Sequence, residues 1–433
     1  MNRRTFLAGA TGALAAGFLR GATSPIKHIV LVMSENRSFD HLLGWFPNAD
    51  GKQAGLSYLD SSGMSHSTYN LAPDWTGCGH ADPNHDYGAA RTEYNNGAMN
   101  GFLQSSTGND IYCIGYYVEN DLKVLSALHR NFTTCDRYFP SILGPTFPNR
   151  IFSHAGQTDR LDDSFSISTL PTIWDHLNAA GVSHKYYYGN LPFLALWGLK
   201  YAAISEPFAV FLSDCANGTL PAVSYVDPSF TLLLNTANDD HPFSDIRNGE
   251  AFLSQVYRAV ANSPAWDSTV VIFTRDEWGG FFEHIVPPRA QAPNNVDTDL
   301  VNGKALLGIR VPTAIVSPWT VGNPANPTVT SEIFDHTSVL KLIESVFGVP
   351  PLAARETSTD VGNILDVIDV TRPAMAAPLL PVANPVFPQQ LCVGGGITDG
   401  SGVPTAVSGL THVRRPSPFH RMIEAGLLDA WPR

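Results

Sequence analysis

Cysteine, positive charge and long apolar runs are all scarce in this chain of 433 residues. The five cysteines are scattered with no CxxC spacing, which argues against a metal site built from thiolates. Acidic residues outnumber lysine and arginine by 39 to 27, and the net charge of −12 argues against binding nucleic acid or an anionic bilayer through general electrostatics. Beyond the N-terminus, no stretch is long and apolar enough for a membrane span.

The N-terminus reads MNRRTFLAGATGALAAGF, in which Arg3 and Arg4 precede a short apolar segment. Such a segment is too short to cross a bilayer and is typical of an export signal. The arginine pair followed by Thr-Phe-Leu indicates the twin-arginine route. We therefore expect residues 1–24 to be a signal peptide and the mature protein to be periplasmic or secreted. In that setting we expect one or two disulfides, with one thiol left over.

The rest of the chain divides by composition. Residues 25–350 alternate short apolar runs with amphipathic segments, and we expect them to form the catalytic domain. Within it, residues 51–120 are rich in Gly, Asn, Asp, Ser and Tyr and predict a loop-rich insertion, a kind of segment that is usually functional. Residues 351–433 are rich in Pro, Ala and Gly and are expected to be an extension packed on the domain.

Apolar runs predict strands, and 3.6-residue periodicity predicts helices. Strands are predicted at residues 29–33, 222–226, 268–273 and 312–316, and helices at 248–262 and 336–347. The order indicates an α/β fold with a mostly parallel central sheet.

Two of the predicted strands end in polar pairs, Glu35-Asn36 and Asp276-Glu277. Parallel strands would bring both pairs to one edge of the sheet, where α/β proteins bind ligands. Three carboxylates there would repel one another unless a cation lay between them, and carboxylate and amide oxygens suit a hard divalent ion. The alternative for Glu35-Asn36 is a strand end that turns into a helix cap.

Residues 144–150, GPTFPNR, place Pro148 just inside a predicted helix, where its missing N–H costs nothing. Thr146 then lies at the helix N-terminus, where N–H groups and the helix dipole stabilise an anion. A hydroxyl that attacks phosphorus would belong at this position. The alternative is that Thr146 only caps the helix.

The segment HADPNHD, residues 80–86, contains His80 and His85 among carboxylates. They are candidates for metal ligands or for a general acid and base. The alternative is that they are loop histidines without a partner.

Four motifs occur together in this order: ENRSFDH from Glu35, GPTFPNR, DHP from Asp240, and DEWGGFFEHIVPP from Asp276. In this the chain resembles the phosphoesterase family of bacterial phospholipases C, plant non-specific phospholipases C and related acid phosphatases. The matching segments run from residue 27 to residue 348. The resemblance implies an αβα sandwich like that of alkaline phosphatase.

The resemblance also implies roles for single residues. A divalent metal, of a kind the sequence does not identify, would be held by Glu35, Asn36, Asp276, Glu277 and Thr146. Thr146 would take the phosphoryl group, its alkoxide favoured by the metal, and His241 or His85 would contact the phosphate or protonate the leaving group. Substrate contacts are expected from Arg37, Arg150 and His284. From the residues themselves, Phe147, Trp278, Phe281 and Phe282 flank the proposed catalytic residues and are candidates for an apolar approach for lipid; the alternative is that they are core residues.

The expected activity is hydrolysis of phospholipid phosphodiesters through a phosphothreonine, with transient contact to a membrane surface. One alternative is an acid phosphatase that acts on small monoesters, and another is a secreted binding protein that has lost catalysis. Two positions depart from the family pattern: Trp278 replaces the His of many plant members, and Glu283 replaces Asp. His336 resembles a family position but is equally suited to capping the helix it opens.

Overall fold

The structure is a computed structural model that describes residues 24–231, 237–386, 392–393, 396–397 and 418–431. Residues 1–23, which hold almost all of the expected signal peptide, lie outside the described part. No helix of the described chain has the length and hydrophobicity needed to span a membrane.

An eight-stranded sheet forms the centre of the molecule. Its strands are β1 (His28–Ser34), β2 (Thr133–Cys135), β3 (His184–Tyr188), β4 (Ser205–Pro207), β5 (Val223–Val226), β6 (Thr269–Arg275), β7 (Thr313–Val316) and β8 (Val329–Thr330). Their order is β8-β2-β7-β6-β1-β5-β3-β4. Every strand runs in the same direction except β7, which is antiparallel to both β6 and β2. The predicted mostly parallel sheet is therefore confirmed.

Eleven α-helices are assigned in the described residues. They are α1 (Phe39–Leu43), α2 (Tyr87–Tyr94), α3 (Phe102–Ser105), α4 (Lys123–Asn131), α5 (Thr146–Ala155), α6 (Ile173–Ala179), α7 (Phe208–Asn217), α8 (Ile246–Ala261), α9 (His336–Phe347), α10 (Ala354–Thr357) and α11 (Pro418–Glu424). Smaller two-stranded sheets pair Ser57–Leu59 with Ser65–Ser67, Tyr69–Asn70 with Gly115–Tyr116, Arg289–Gln291 with Lys304–Leu306, and Cys392–Val393 with Gly396–Ile397.

Alternation along β1 divides the core in two. Ile29, Leu31 and Met33 pack in a cluster with apolar side chains of α5, α6, α9 and α11. Val30 and Val32 point to the other face and pack with α1, α4, α7 and α8. A strand buried on both faces needs an unbroken apolar run, and the sequence of β1 supplies it. The αβα sandwich predicted for the chain is confirmed.

The insertion at residues 51–120 contains α2 and α3 and contributes to a third apolar cluster. Trp278 and Phe282 belong to this cluster, and Phe147 and Phe281 belong to the two main ones. All four aromatic side chains are 0% exposed. They are therefore core residues, the alternative that the sequence left open, and not an apolar approach for lipid.

The cysteines also differ from expectation. Cys78 is disulfide-bonded, whereas Cys113, Cys135 and Cys215 are buried free thiols. A disulfide is therefore present, as expected, but the described residues contain three free thiols rather than one. Their burial raises the pKa of each thiol, so none has the character of a reactive thiolate.

Candidate active site

The two polar pairs meet at one edge of the sheet, as the sequence predicted. β1 and β6 are neighbours in parallel register, with Ser34 beside Arg275. The loops that follow these two strands are hydrogen-bonded to each other, because the N–H of Asn36 donates to Asp276 Oδ1 at 3.2 Å. Gly279 closes this turn with a φ of +65°, and a Cβ there would lie 2.3 Å from the carbonyl oxygen of Asn36. Only glycine lets the two loops approach so closely.

Several buried oxygen atoms at this edge have no hydrogen-bond partner among the described residues. They are Glu35 Oε1 and Oε2, Asn36 Oδ1, Glu277 Oε1 and Thr146 Oγ1. Their residues are at most 1% exposed. Burial raises the pKa of the Glu35 and Glu277 carboxyls well above the usual range, and neighbouring carboxylates add to the shift, although Arg150 opposes it at Glu35 and His85 opposes it at Glu277. Unpaired carboxylate, amide and hydroxyl oxygens are ligands for a hard divalent cation, so the residues present fit a metal.

Asp276 differs from its neighbours because its carboxylate is already bonded. Oδ1 accepts from the N–H of Asn36 and, at 2.8 Å, from that of Glu277, and Oδ2 accepts from Arg150 Nε at 2.8 Å. Each carboxylate oxygen has two lone pairs, so Oδ2 retains one for a metal.

Arg150 neutralises the carboxylates of the site. Its Nη1 donates to Asp227 Oδ1 at 3.0 Å, and its Nη2 lies 3.3 Å from Glu35 Oε1. Nη2 also donates to the carbonyl of Met33 at 3.1 Å. With these bonds and the one to Asp276, every side of the guanidinium faces protein acceptors. The expectation that Arg150 binds substrate is therefore corrected: it holds the acidic residues in place.

Thr146 is the first residue of α5, after Pro145 in the N-cap position. The preceding turn is fixed by Asn149, whose Nδ2 donates to the carbonyls of Gly144 at 2.8 Å and Pro145 at 3.1 Å. Thr146 Oγ1 has no hydrogen-bond partner in the described part of the chain, so it does not cap the helix. The capping interpretation is wrong, and the hydroxyl remains available for chemistry.

Asp163 is a residue of this region that the sequence did not reveal. It lies in the loop between α5 and α6, and its Oδ1 accepts from the N–H of Phe147 at 2.8 Å. Burial raises the pKa of this carboxyl to about 6, although the bond from Phe147 and the charge of His85 lower it. No motif marks this position, so only the fold could place a carboxylate beside Thr146.

The histidine of the insertion that reaches the site is His85. Its Nε2 lies 3.3 Å from Asn36 Nδ2 and 3.8 Å from Glu277 Oε1, while Nδ1 donates to the carbonyl of Pro83 at 2.7 Å. Burial opposes the protonated ring, but the negative charges of Glu277, Asp82 and Asp163 and the bond to the Pro83 carbonyl together outweigh it and raise the pKa of His85 to about 9. His80 instead bonds to Asp110 at 2.8 Å. Both histidines have partners, so the alternative of partnerless loop histidines is wrong.

His241 is the second histidine of the site, with its ring centroid 6.0 Å from that of His85. Nδ1 donates to the carbonyl of Pro242 at 2.9 Å, which leaves Nε2 as a proton acceptor, 3.9 Å from Asp82 Oδ2. Burial lowers the pKa of His241. A protonated ring and a neutral ring therefore lie side by side, the arrangement of a general acid and a general base.

Arg37 lies behind His241. Its Nε donates to the carbonyl of Asp240 at 2.7 Å, and its guanidinium carbon lies 4.6 Å from the ring centroid of Phe281. Arg275 bonds to the carboxylate of Asp240 at 2.6 Å. The two arginines hold the turn that presents His241. Arg37 Nη2 has no partner among the described residues, so substrate binding by that nitrogen stays a prediction.

His284 lies in a separate polar cluster. Its Nδ1 bonds to Asp40 Oδ2 at 2.5 Å and its Nε2 to Asp50 Oδ1 at 3.1 Å. Ligand atoms of Asp40, Glu283 and His284 lie within 4.8 Å of one another, but Arg310 already bonds to the two carboxylates at 3.0 and 2.9 Å. The expectation that His284 binds substrate is corrected, because its ring is engaged in this ion-pair network.

His336 also has a role that the sequence left open. The N-cap of α9 is Asp335, so His336 is not the cap. Its Nε2 bonds to the carbonyl of Asp276 at 2.8 Å, and its Nδ1 lies 3.2 Å from the hydroxyl of Tyr138. His336 therefore fixes the backbone that carries the second acidic pair.

Comparison with known proteins agrees with the family resemblance of the sequence motifs. A family model described as "Phosphoesterase family" matches residues 26–350. Non-specific phospholipase C6 of Arabidopsis thaliana is 32% identical over 403 residues, covering 84% of this chain and 76% of its own length. Phospholipase C A of Mycobacterium tuberculosis, strain H37Rv, is 30% identical over 501 residues, covering 93% of this chain and 92% of its own length.

Solved structures resemble the chain more remotely. The lipoteichoic acid synthase LtaP from Listeria monocytogenes superposes with a TM-score of 0.42 at 9% identity, covering 79% of this chain and 77% of its own. The family assignment does not depend on this likeness.

Proposed function

The chain belongs to the Phosphoesterase family, and on that premise we propose that it is a metal-dependent phospholipase C, which cleaves phospholipid phosphodiesters to diacylglycerol and a phosphorylated headgroup. The observation that carries this proposal is the group of buried, unpartnered oxygens around Thr146 beside two histidines. A purely structural site would pair these atoms, since each orphaned buried polar group costs about 1–3 kcal/mol.

Glu35, Asn36, Glu277 and Thr146 would hold the divalent cation, with Asp276 contributing its remaining lone pair. When bound, the cation supplies Lewis-acid stabilisation of negative charge on oxygen. Arg150 does not offer its positive charge to the phosphate, because its guanidinium is committed to carboxylates.

In the first step, Thr146 Oγ bonds to phosphorus as the bond to the diacylglycerol oxygen breaks. His241 accepts the threonine proton, and protonated His85 gives its proton to the leaving oxygen. Water then attacks the phosphothreonine, returns a proton to His85 and releases the headgroup phosphate. Thr146 recovers its proton from His241, which restores both histidines.

Three substrates test the proposal with purified protein and added divalent metal: a short-chain phosphatidylcholine, p-nitrophenyl phosphorylcholine and p-nitrophenyl phosphate. A phospholipase C should show the highest kcat/KM with the lipid diester. Preference for the monoester at every pH would make the protein an acid phosphatase. No turnover of any substrate, with metal bound, would leave the binding-protein alternative.

We further propose that the chain is exported through the twin-arginine route, on the strength of Arg3 and Arg4 before a short apolar segment. Replacing both arginines by lysine should retain the precursor in the cytoplasm. Arg20→Lys, at the far end of the same segment, is the matched control and should leave export unchanged. Equal export of the double variant and the control would refute the route.

A further inference from the structure

The backbone N–H that a phosphoryl group on Thr146 would be expected to bond already donates to the Asp163 carboxylate. Asp163 Oδ1 accepts from the N–H of Phe147, the residue after Thr146, at 2.8 Å. α5 has no side-chain cap of its own, so Asp163 supplies a negative group to its first turn from the loop that follows the helix. One residue away, Thr146 Oγ1 is 0% exposed and unpartnered. A phosphate on that hydroxyl and the Asp163 carboxylate would compete for the same N–H.

The charge of Asp163 is not cancelled by an ion pair. No lysine, arginine or histidine of the described chain lies within 4.0 Å of its carboxylate. Its electrostatic neighbours are His85 and Arg421, which favour its charged form, and Asp276, which opposes it. Arg421 is exposed to solvent, where charge is well screened. The carboxylate therefore adds a fixed negative charge to a site that already contains Glu35, Asp276 and Glu277.

We propose that Asp163 is a specificity-determining residue that favours phosphodiesters over phosphate monoesters. The proposal rests on the phosphoesterase function proposed above and deepens it. A diester has one charged non-bridging oxygen, whereas a monoester dianion carries a second charge, which would lie near the Asp163 carboxylate. Repulsion between these like charges, next to the buried Thr146 hydroxyl, would weaken binding of the monoester, while the diester can place a neutral substituent on that side.

The test compares wild-type protein with Asp163→Asn, which keeps an oxygen acceptor for the Phe147 N–H but removes the charge. Asp163→Ser serves the same purpose if the amide is poorly tolerated. Asp162→Asn removes a neighbouring exposed carboxylate and is the matched control. Two quantities are measured for each metal-loaded protein. One is the ratio of kcat/KM for p-nitrophenyl phosphate to that for p-nitrophenyl phosphorylcholine, and the other is the calorimetric Kd of inorganic phosphate.

Removal of the charge should raise the monoester-to-diester ratio at least tenfold and tighten phosphate binding by a similar factor, with Asp162→Asn matching wild type. A ratio and a Kd both within twofold of wild type would overturn the assignment, as would equal changes in the Asp162 control. If the wild-type protein hydrolyses neither ester, the proposed function fails, yet the phosphate Kd still decides whether Asp163 repels a second charge.

Discussion

Thr146 and Glu35 show how burial gives ordinary side chains a chemistry that they lack in water. Both present oxygen atoms without hydrogen-bond partners in a region from which solvent is excluded. In water, a threonine hydroxyl is a weak nucleophile and a glutamate carboxylate is fully solvated. In the fold, Thr146 Oγ1 has no hydrogen-bond partner among the described residues and Glu35 has only the guanidinium of Arg150 beside it, so both have oxygen atoms available to a ligand.

The proposed role of Thr146 as nucleophile is tested by Thr146→Val, which keeps the shape of the side chain and removes the hydroxyl. We expect kcat to fall by roughly 10³-fold or more. Stability to urea should be unchanged or slightly higher, because an unpaired buried group is lost. Thr146→Ser should retain measurable turnover. A valine variant within tenfold of wild type would show that another group attacks phosphorus.

His284 provides a prediction for pH. Burial disfavours its protonated ring, but the bonds to Asp40 and Glu283 outweigh burial and raise the pKa of His284 to about 9, above the ordinary value of 6.5. A raised pKa means that the protonated ring stabilises the folded state fully below pH 6.5, and that this gain disappears as the pH rises through 9.

We therefore expect His284→Gln to lower the free energy of unfolding by about 1–3 kcal/mol at pH 6, with the deficit shrinking toward pH 9.5. Urea unfolding at a series of pH values measures it. His176, whose ring bonds to the carbonyl of Pro350 rather than to a carboxylate, gives the control substitution. A deficit for His284→Gln that is constant with pH would mean that the loss is one of packing alone.

At the scale of elements, α11 supports the site although it lies far from it in sequence. Phe419 stacks on Phe230 with ring centroids 3.7 Å apart and contacts Phe147 of α5 at 5.6 Å. The guanidinium of Arg150 lies 4.7 Å from the Phe230 centroid and 5.7 Å from that of Phe419. Aromatic faces attract a guanidinium, so this helix helps to hold the arginine that organises the carboxylates.

Phe419→Ala should therefore cost about 3–5 kcal/mol in the free energy of unfolding, because a fully buried ring is removed from a packed cluster. Ile423→Ala is the matched control: its side chain is in the same helix but 41% exposed, and its loss should cost less than about 0.5 kcal/mol. Urea titrations of both variants decide the matter. Equal urea midpoints of unfolding for the two variants would show that α11 does not stabilise the fold.

For the molecule as a whole, the excess of negative charge supports the proposal that the site binds a metal ion. The chain carries a net charge of −12, and its site gathers four carboxylates, those of Glu35, Asp163, Asp276 and Glu277, against Arg150 and His85. A bound dication would offset this local excess and pair the orphaned oxygens. It would also stabilise the folded state, since a ligand that binds only this state shifts the unfolding equilibrium.

Chelation should abolish turnover and lower Tm, and one divalent metal should restore both. The stabilisation expected at one hundred times Kd is about 2.7 kcal/mol. Glu277→Gln, which removes one carboxylate ligand, should show a much smaller shift of Tm on adding metal. Full activity in a sample verified to be free of metal would exclude the cation from the mechanism.

The sequence by itself determined the sheet and the edge at which the site is built. The apolar run of β1 could only be a strand buried on both faces, and the α/β order of the chain made its neighbours parallel. Glu35-Asn36 and Asp276-Glu277 follow neighbouring strands, so their meeting was predictable. The position of Thr146 at the start of α5 was predictable as well, because Pro148 fixes a helix start within a recognisable heptapeptide.

Only the tertiary structure decided the partners of these residues. The bonds of Arg150 to Asp227, of Asp163 to the Phe147 N–H, and of Phe419 to Phe230 join segments without a shared periodic pattern. Such contacts depend on how loops and helices pack over the sheet, and local propensity carries no information about that packing. The same limit explains why Arg150 and His284 were expected at the substrate: a sequence shows that a charge exists, whereas only the fold shows which opposite charges surround it.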